Sequence, residues 1–203
     1  MKIIEQSRAP NPRRVRVFLA EKGIDMSYEQ VSLADMEHKT ESFRSINPFL
    51  GVPVLVLDDG AAISESMAIC RYFEELQPEP SLMGTTPIEK ATIEMWARRM
   101  EFELFYRVAQ CFRHLHPAMA ELEKPQVSAW GEANRPHVLN TLQLLDRLLA
   151  GREFIAGDKY SVADITAMIA IDFMKPAKIE RPADLTSLAR WYDAVSARPS
   201  AKA

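Results

Sequence analysis

The stretch VPVLVLDDGAAIS, residues 52–64, reads as two short strands joined by a turn. Val54 to Leu57 is an unbroken aliphatic run, Asp58-Asp59-Gly60 is a hairpin turn signal, and Ala61-Ala62-Ile63 returns as the partner. Directly after it, SMAICRYFEEL (residues 66–76) has helical spacing that turns Ile69, Phe73 and Leu76 inward. Upstream, Lys2-Ile3-Ile4-Glu5 is a short strand candidate. From Pro12 the pattern is helical, with Val15, Phe18 and Leu19 on one face and Gly23 able to supply a left-handed cap. Residues 27–33 form a weaker strand, and residues 41–46 a short helix stopped by Asn47-Pro48. The order is strand, helix, strand, short helix, strand, strand, helix. Its first unit requires a parallel crossover and its second is a hairpin, so one four-stranded mixed sheet with helices on both faces follows.

The composition then changes. Residues 78–87 hold Pro78, Pro80, Gly84 and Pro87 and read as a linker, and no convincing strand follows it. Ile93, Trp96, Met100, Leu104, Val108, Phe112 and Leu115 keep helical spacing through a long segment. A second long helix runs to Leu149, with Pro136 expected to kink or break it. A third starts at Ser161, and a last one carries Leu188, Trp191, Tyr192 and Val195. The fold expected is α/β plus all-α: an amino-terminal domain over residues 1–77, a linker over 78–87 and a helical domain over 88–203. In YSVADI, Ser161 and Asp164 have capping-box spacing, and Tyr160 and Ile165 occupy the staple positions around them.

The totals exclude several classes. With 25 basic and 28 acidic residues the net charge is −3, so nothing argues for nucleic acid or an anionic membrane. No apolar run approaches the roughly 18–20 residues that span a bilayer, and the first residues lack the apolar core of a secretory signal. Cys70 and Cys111 form no CxxC and read as reduced core residues of a cytoplasmic protein. The four histidines have no metal-ligand spacing and are expected to be solvated or to cap helices.

Two short stretches allow a binding role beside a structural one. Val52-Pro53 is either a trans proline opening a strand or a cis bend exposing the Val52 backbone, with which an extended peptide-like ligand could pair. Glu65-Ser66 is either an N-cap or an anion site. In the second case the Ser66 hydroxyl and free N–H groups take a carboxylate and Glu65 accepts from an ammonium.

Together PNPRRVRVFLAEKG (residues 10–23), NPFLGVPVLVLDDG (47–60), ISESMAICRYF (63–73), FIAGDKYSVADI (154–165) and the terminal RPS resemble the cytosolic glutathione transferases, in order and spacing, over almost the whole chain. The similarity points to the bacterial nu-like or another divergent branch. The resemblance implies a thioredoxin-like amino-terminal domain, a helical carboxy-terminal domain, a homodimer, and glutathione bound as co-substrate in the cleft between domains. It also implies a role in detoxification. It makes Val52-Pro53 the cis-proline pair that meets the cysteinyl backbone of glutathione, and Glu65 and Ser66 the holders of its γ-glutamyl end. Lys39 falls near the glycyl carboxylate. Gly51 stands where some relatives carry lysine or glutamine.

The chain departs from the family where the chemistry is usually assigned. Relatives with a catalytic serine or cysteine place it six residues before the valine of the RRVR-like segment, and here that position is Ala9. The substitute is Asn11, which resembles the asparagine of the nu-like branch. Its amide can donate to a thiolate at the start of a helix. Ser7 is the other candidate, nearer the strand end, and Asn11 as a plain helix cap is the structural alternative. Arg8 and Arg14 are expected to be solvated. The activity implied is attack of the bound thiolate on a small hydrophobic electrophile, a hydroperoxide or a disulfide. The electrophile pocket would draw on residues 101–112, including Phe105, Tyr106 and Phe112, although aromatics at that spacing more often belong to the core or a dimer interface. The rival from another class is a glutathione-binding or interaction module without turnover.

Overall fold

The computed structural model describes all 203 residues, which fold into two units. The first comprises Met1–Leu82 together with Pro199–Ala203, and the second Met83–Arg198.

The first unit is built on a four-stranded sheet of order β2-β1-β3-β4, from β1 (Lys2–Glu5), β2 (Tyr28–Gln30), β3 (Val54–Val56) and β4 (Ala62–Ser64). β1 and β2 run parallel, with Glu5 opposite Gln30. The other two pairs are antiparallel, with Val54 opposite both Ile4 and Ser64. This is the mixed sheet expected from the crossover and the hairpin. The strands alternate faces. Ile4 and Val54 join Val31 and Phe43 in one cluster, where Phe43 belongs to α2 (Glu41–Ile46). Ile3 and Leu55, paired in register and fully buried, face the other side. There α1 (Pro10–Lys22) packs on α3 (Ser66–Leu76).

Helix α1 buries Val15, Phe18 and Leu19 as its spacing predicts, but begins two residues earlier than Pro12. It ends in a Schellman turn: Gly23 adopts φ 66°, its N–H reaches Ala20 O, and the Ile24 N–H reaches Leu19 O at 3.0 Å. Helix α3 has the bounds read from the sequence, and Ile69 and Phe73 are buried in it. Leu76, the last residue of the helix, is exposed rather than inward. The terminal turn Pro199–Lys202 lies against α1, where Arg13 donates to Ala201 O at 2.9 Å and Ser200 to Glu21.

The second unit is helical: α4 (Pro87–Arg99), α5 (Tyr106–Leu115), α6 (Ser128–Leu149), α7 (Val162–Met174) and α8 (Thr186–Ser196). Thr86 and Glu89 close a capping box at the start of α4. Bonds from Thr85, Thr86 and Lys159 draw the Glu89 carboxyl down to about 2. Between α4 and α5 the chain does not leave the helix. It widens into a π-helical stretch, Met100–Phe105. Trp96, Met100, Leu104 and Val108 are all buried at intervals of four. In a regular α-helix each such step drifts by about 40°, and a wider turn keeps the stripe on one face.

Helix α6 runs unbroken through Pro136, so of the kink or break expected there the break does not occur. Pro136 gives up one backbone bond, yet Asn134, Val138, Leu142, Leu145 and Leu149 are buried around it, and that burial holds the helix together. Gly131 lets α6 approach α5 closely: a β-carbon there would lie 2.6 Å from Leu115 Cγ. Cys111 beneath it donates to Gly131 O at 3.4 Å. Both cysteines are free and buried, as expected.

Helix α7 starts on the capping box of Ser161 and Asp164, with Tyr160 and Ile165 buried on either side. Asp164 does more than its spacing announces. Its carboxylate also accepts from the Ile155 N–H at 2.8 Å and from Trp191 Nε1, on α8, at 2.9 Å.

Candidate functional site

The first part of the site is the entrance to α1. β1 ends at Glu5, which is buried and takes Arg16 Nη1 at 2.7 Å and Gln30 Nε2 at 2.9 Å on one oxygen. Gln30 in turn accepts the Ser7 N–H at 2.9 Å, and Gln6 accepts those of Arg8 and Ala9. This network fixes residues 6–9, and with them the start of the helix. Glu5, Arg16 and Gln30 carry no motif; only their distant pairing across β1 and β2 makes them visible.

The helix itself opens on Ala9 as N-cap, with no side-chain cap. Pro10 and Pro12 have no N–H, and the Ala9 N–H is taken by Gln6 O. Of the groups that normally stand free at a helix start, only the Asn11 N–H remains. The Asn11 side chain is exposed and makes no hydrogen bond within the protein, so it is not a cap. Ser7 is exposed at the strand end, as expected. Arg8 is exposed, but Arg14 is fully buried, against the expectation of a solvated cation. It sits one turn before Phe18 on the inward face and lies near Cys70. Burial pushes the Cys70 thiol up to about 12, with Arg14 pulling the other way.

The second part is the start of β3. The Val52–Pro53 peptide is cis. Buried Asn47 braces the preceding loop, donating to Gly51 O at 2.9 Å and accepting the Phe49 N–H at 3.1 Å. Neither the N–H nor the C=O of Val52 has a partner within the chain.

The third part is the start of α3. Glu65 is its N-cap without a side-chain bond, held at φ 70° and ψ 116°. For a non-glycine residue that conformation costs about 1–3 kcal/mol, and such strain gathers at ligand sites. Ser66 is a buried residue whose hydroxyl oxygen stays accessible and bonds to no group of the protein. The first intrahelical bond runs from Ile69 N to Glu65 O, which leaves the N–H groups of Ser66, Met67 and Ala68 at the helix mouth.

The fourth part is a 3₁₀ turn, Glu37–Lys39, tied back by the Ser32 N–H on Glu37 Oε2 at 2.6 Å. Lys39 is exposed and has no ion pair. His38 is buried and its Nδ1 accepts no backbone N–H, so it is neither solvated nor a cap as expected. Burial and the adjacent Lys39 hold its pKa below the ordinary 6.5. Two of the three histidines of the second unit cap locally: His114 Nδ1 accepts the Val127 N–H and His116 Nδ1 that of Ala118.

The sheet gathers these four parts. With Glu5 opposite Gln30, β1 and β2 end together, leading to Asn11 and toward Lys39. With Val54 opposite Ile4 and Ser64, Val52-Pro53 and Glu65-Ser66 fall at that same end. Asn11, Val52, Pro53, Glu65 and Ser66 therefore share one end of the sheet, and Lys39 stands in the loop that leaves that end after β2. The chemistry on offer is a cation, an unpaired strand edge, a carboxylate next to a helix mouth, and an amide donor at a second helix mouth. That set suits a short zwitterionic peptide.

Of the three aromatics read as pocket or core residues, two pack on neighbouring rings. Phe105 is buried with its ring 6.2 Å from that of Phe173. Phe112 packs on Phe173 at 5.0 Å and stacks on His116 at 4.8 Å. Tyr106 is exposed.

Comparison with known proteins identifies the two units. Residues 9–76 match the family model for the glutathione S-transferase N-terminal domain, and residues 105–199 that for the C-terminal domain. Glutathione S-transferase 2 of Saccharomyces cerevisiae is 37% identical over 205 residues, covering 100% of this chain and 88% of its own. A glutathione S-transferase domain-containing protein of Marinobacter aquaeolei superposes with a TM-score of 0.95 at 40% identity, covering 98% of this chain and 99% of the other. Gtt2 of Saccharomyces cerevisiae does so with 0.95 at 37%, covering 100% and 99%. A two-unit fold with this sheet, and similarity along the full length of both units, place the chain in the glutathione S-transferase family.

Proposed function

We propose that the protein binds glutathione at the end of the sheet described above and holds its thiol as a thiolate for attack on a second substrate. The unpaired Val52 backbone takes the cysteinyl portion as an added strand. Ser66 and the N–H groups of α3 take the γ-glutamyl carboxylate, Glu65 its ammonium, and Lys39 the glycyl carboxylate. Asn11 stands where the sulfur is activated. The observation that carries this reading is the Asn11 amide: exposed, unpartnered, and in the first turn of a helix whose N-cap has no hydroxyl.

The magnitudes suffice. Bringing a thiol from about 8.5 to mostly ionised at pH 7 needs roughly 2.7 kcal/mol. A hydrogen bond to a charged group supplies about 1.5–3 kcal/mol, and a helix end about 0.3–1 kcal/mol. The second substrate is an organic electrophile, a hydroperoxide or a disulfide. The test is the ultraviolet absorbance of the bound thiolate against pH. Asn11→Ala raises the apparent pKa of bound glutathione by about one unit or more, equivalent to roughly 1.4 kcal/mol. An unchanged pKa in that variant removes Asn11 from the role.

The second reading, a glutathione-binding module without turnover, is favoured by one observation: Ala9 at the N-cap has no group to donate. It is adopted if the protein is retained on immobilised glutathione yet turns over neither 1-chloro-2,4-dinitrobenzene, nor cumene hydroperoxide, nor a hydroxyethyl disulfide. A homodimer is part of the proposed state.

A further inference from the structure

A closed ring of hydrogen bonds holds the residues between β1 and α1. Glu5 Oε1, at the end of β1, accepts from Arg16 Nη1 at 2.7 Å and from Gln30 Nε2 at 2.9 Å. Both donors also reach Ser7. Gln30 Oε1 accepts the Ser7 N–H at 2.9 Å, and Arg16 Nη2 donates to the Ser7 carbonyl at 2.5 Å. Ser7 is thus held by both of its backbone groups, through side chains of α1 and β2 that meet on one carboxylate oxygen.

The ring passes this placement on towards Asn11. Gln6 Oε1 accepts the Arg8 N–H at 2.8 Å, Gln6 O accepts the Ala9 N–H at 2.9 Å, and Ala9 O accepts the Arg13 N–H at 3.2 Å. Pro10 and Pro12 fix φ on either side of Asn11. Every residue from Ser7 to Pro10 is therefore restrained, by a hydrogen bond or by its own ring. Packing does not supply that restraint: Ser7, Arg8 and Asn11 are exposed, and Gln6, Ala9 and Pro10 are only half-buried. The buried part of α1 begins at Pro12. Asn11 stands at the seam between the packed helix and the loop that the ring holds.

Stability alone is a poor account of the ring. Glu5 is 2% exposed, and its Oε2 is buried without a hydrogen-bond partner. A buried carboxylate with an unbonded oxygen contributes weakly to stability at best. Gln30 lies on an exposed edge strand, where side chains contribute little to the core.

We infer that Arg16 and Gln30, gathered by Glu5, are positioning residues of the proposed reaction: acting through Ser7, they set where the Asn11 amide stands relative to the glutathione sulfur. The inference rests on the glutathione reading above and deepens it. A misplacement of about 1 Å can cost about 100-fold in rate, so small shifts of the loop are enough to be read in the chemistry.

The test uses the full-length protein with glutathione as the probe. Gln30→Met removes two bonds of the ring from an exposed position, and the melting temperature stays close to that of the wild type. Hydrogen exchange speeds up at the Arg8 and Ala9 amides, which bond to Gln6 and not to Gln30. The pKa of the bound thiol, followed by ultraviolet absorbance, rises by about half a unit or more. The kcat at neutral pH falls at least about twofold, while the KM for glutathione changes little. Gln30→Glu has the same effects, because it sets a second carboxylate against Glu5. Adding Glu5→Gln to Gln30→Glu closes the ring again with one bond reversed, and returns the thiol pKa and kcat towards the wild type. Unchanged exchange at the two amides, an unmoved thiol pKa in Gln30→Met, or a double variant no better than Gln30→Glu overturns the inference. An unchanged thiol pKa in Asn11→Ala overturns instead the reading on which it rests.

Discussion

Lys22 Nζ lies 2.6 Å from Glu74 Oε2, joining the last turn of α1 to α3 with both side chains buried. The same ammonium donates to the carbonyls of Gln77 at 2.7 Å and Pro80 at 2.9 Å, and Glu74 also accepts the Leu82 N–H at 3.0 Å. One ion pair thus ties two helices to the segment that leaves them. Lys22→Met removes the cation and strands a buried carboxylate. The expected loss is about 3–5 kcal/mol of stability in the first unit, read by denaturant unfolding. Adding Glu74→Met to it restores much of that loss, because the stranded charge is gone. A single variant as stable as the wild type would mean that water reaches the pair.

Ser66 makes its bond only to a ligand in the proposed site, so Ser66→Ala separates binding from chemistry. Losing one hydrogen bond to a carboxylate is worth about 1.5–3 kcal/mol, or roughly 10- to 100-fold in the KM for glutathione. The kcat at saturation stays close to wild type, since the contact is the same in ground and transition states. A fall in kcat with KM unchanged would place Ser66 at the reacting sulfur instead.

Asp164 gives the fold a pH dependence. Burial pushes its carboxyl from 3.8 up to about 6, against the opposing pull of bonds from Ile155, Trp191 and Ser161. A carboxyl with a raised folded-state pKa contributes stability that is complete below about pH 4 and is lost as pH rises through 6. The difference corresponds to about 3 kcal/mol. Asp164→Asn does not titrate. Unfolding free energies of the two proteins measured between pH 4 and 7 should therefore shift against the wild type as pH increases. A pH-independent difference contradicts the raised pKa.

Phe49 is 88% exposed at the tip of the loop that Asn47 braces. In the proposed homodimer it is the natural apolar contact for a second copy. Sedimentation equilibrium should report two chains for the wild type and a shift toward one for Phe49→Asp, with the melting curve of the first unit little altered. A wild type that sediments as a single chain refutes the dimer.

The sequence and the structure agree where local signals act alone. The hairpin around Asp58-Asp59-Gly60 and the bounds of α3 follow from turn chemistry and period, and so does the Ser161 start of α7. The six residues of the proposed glutathione site come from short motifs and from the family resemblance, and only the register of the strands says which sheet end those motifs share. What escaped reading depends on distant partners. Arg14 looks like any helix-surface cation until its face is known. Glu5 and Arg16 pair across a loop that no pattern marks. Pro136 breaks a helix by local rules, and only the buried stripe around it overrides them.

The prolines on either side of Asn11 bear on the missing hydroxyl at Ala9. A serine in that place would turn inward and accept from the second or third helical amide, and of those two only the Asn11 hydrogen exists. Host and guest would then compete for a single proton donor, and the alanine methyl removes the contest. Restoring the customary alcohol by Ala9→Ser should accordingly steady the helix while depriving the incoming anion of its one backbone contact.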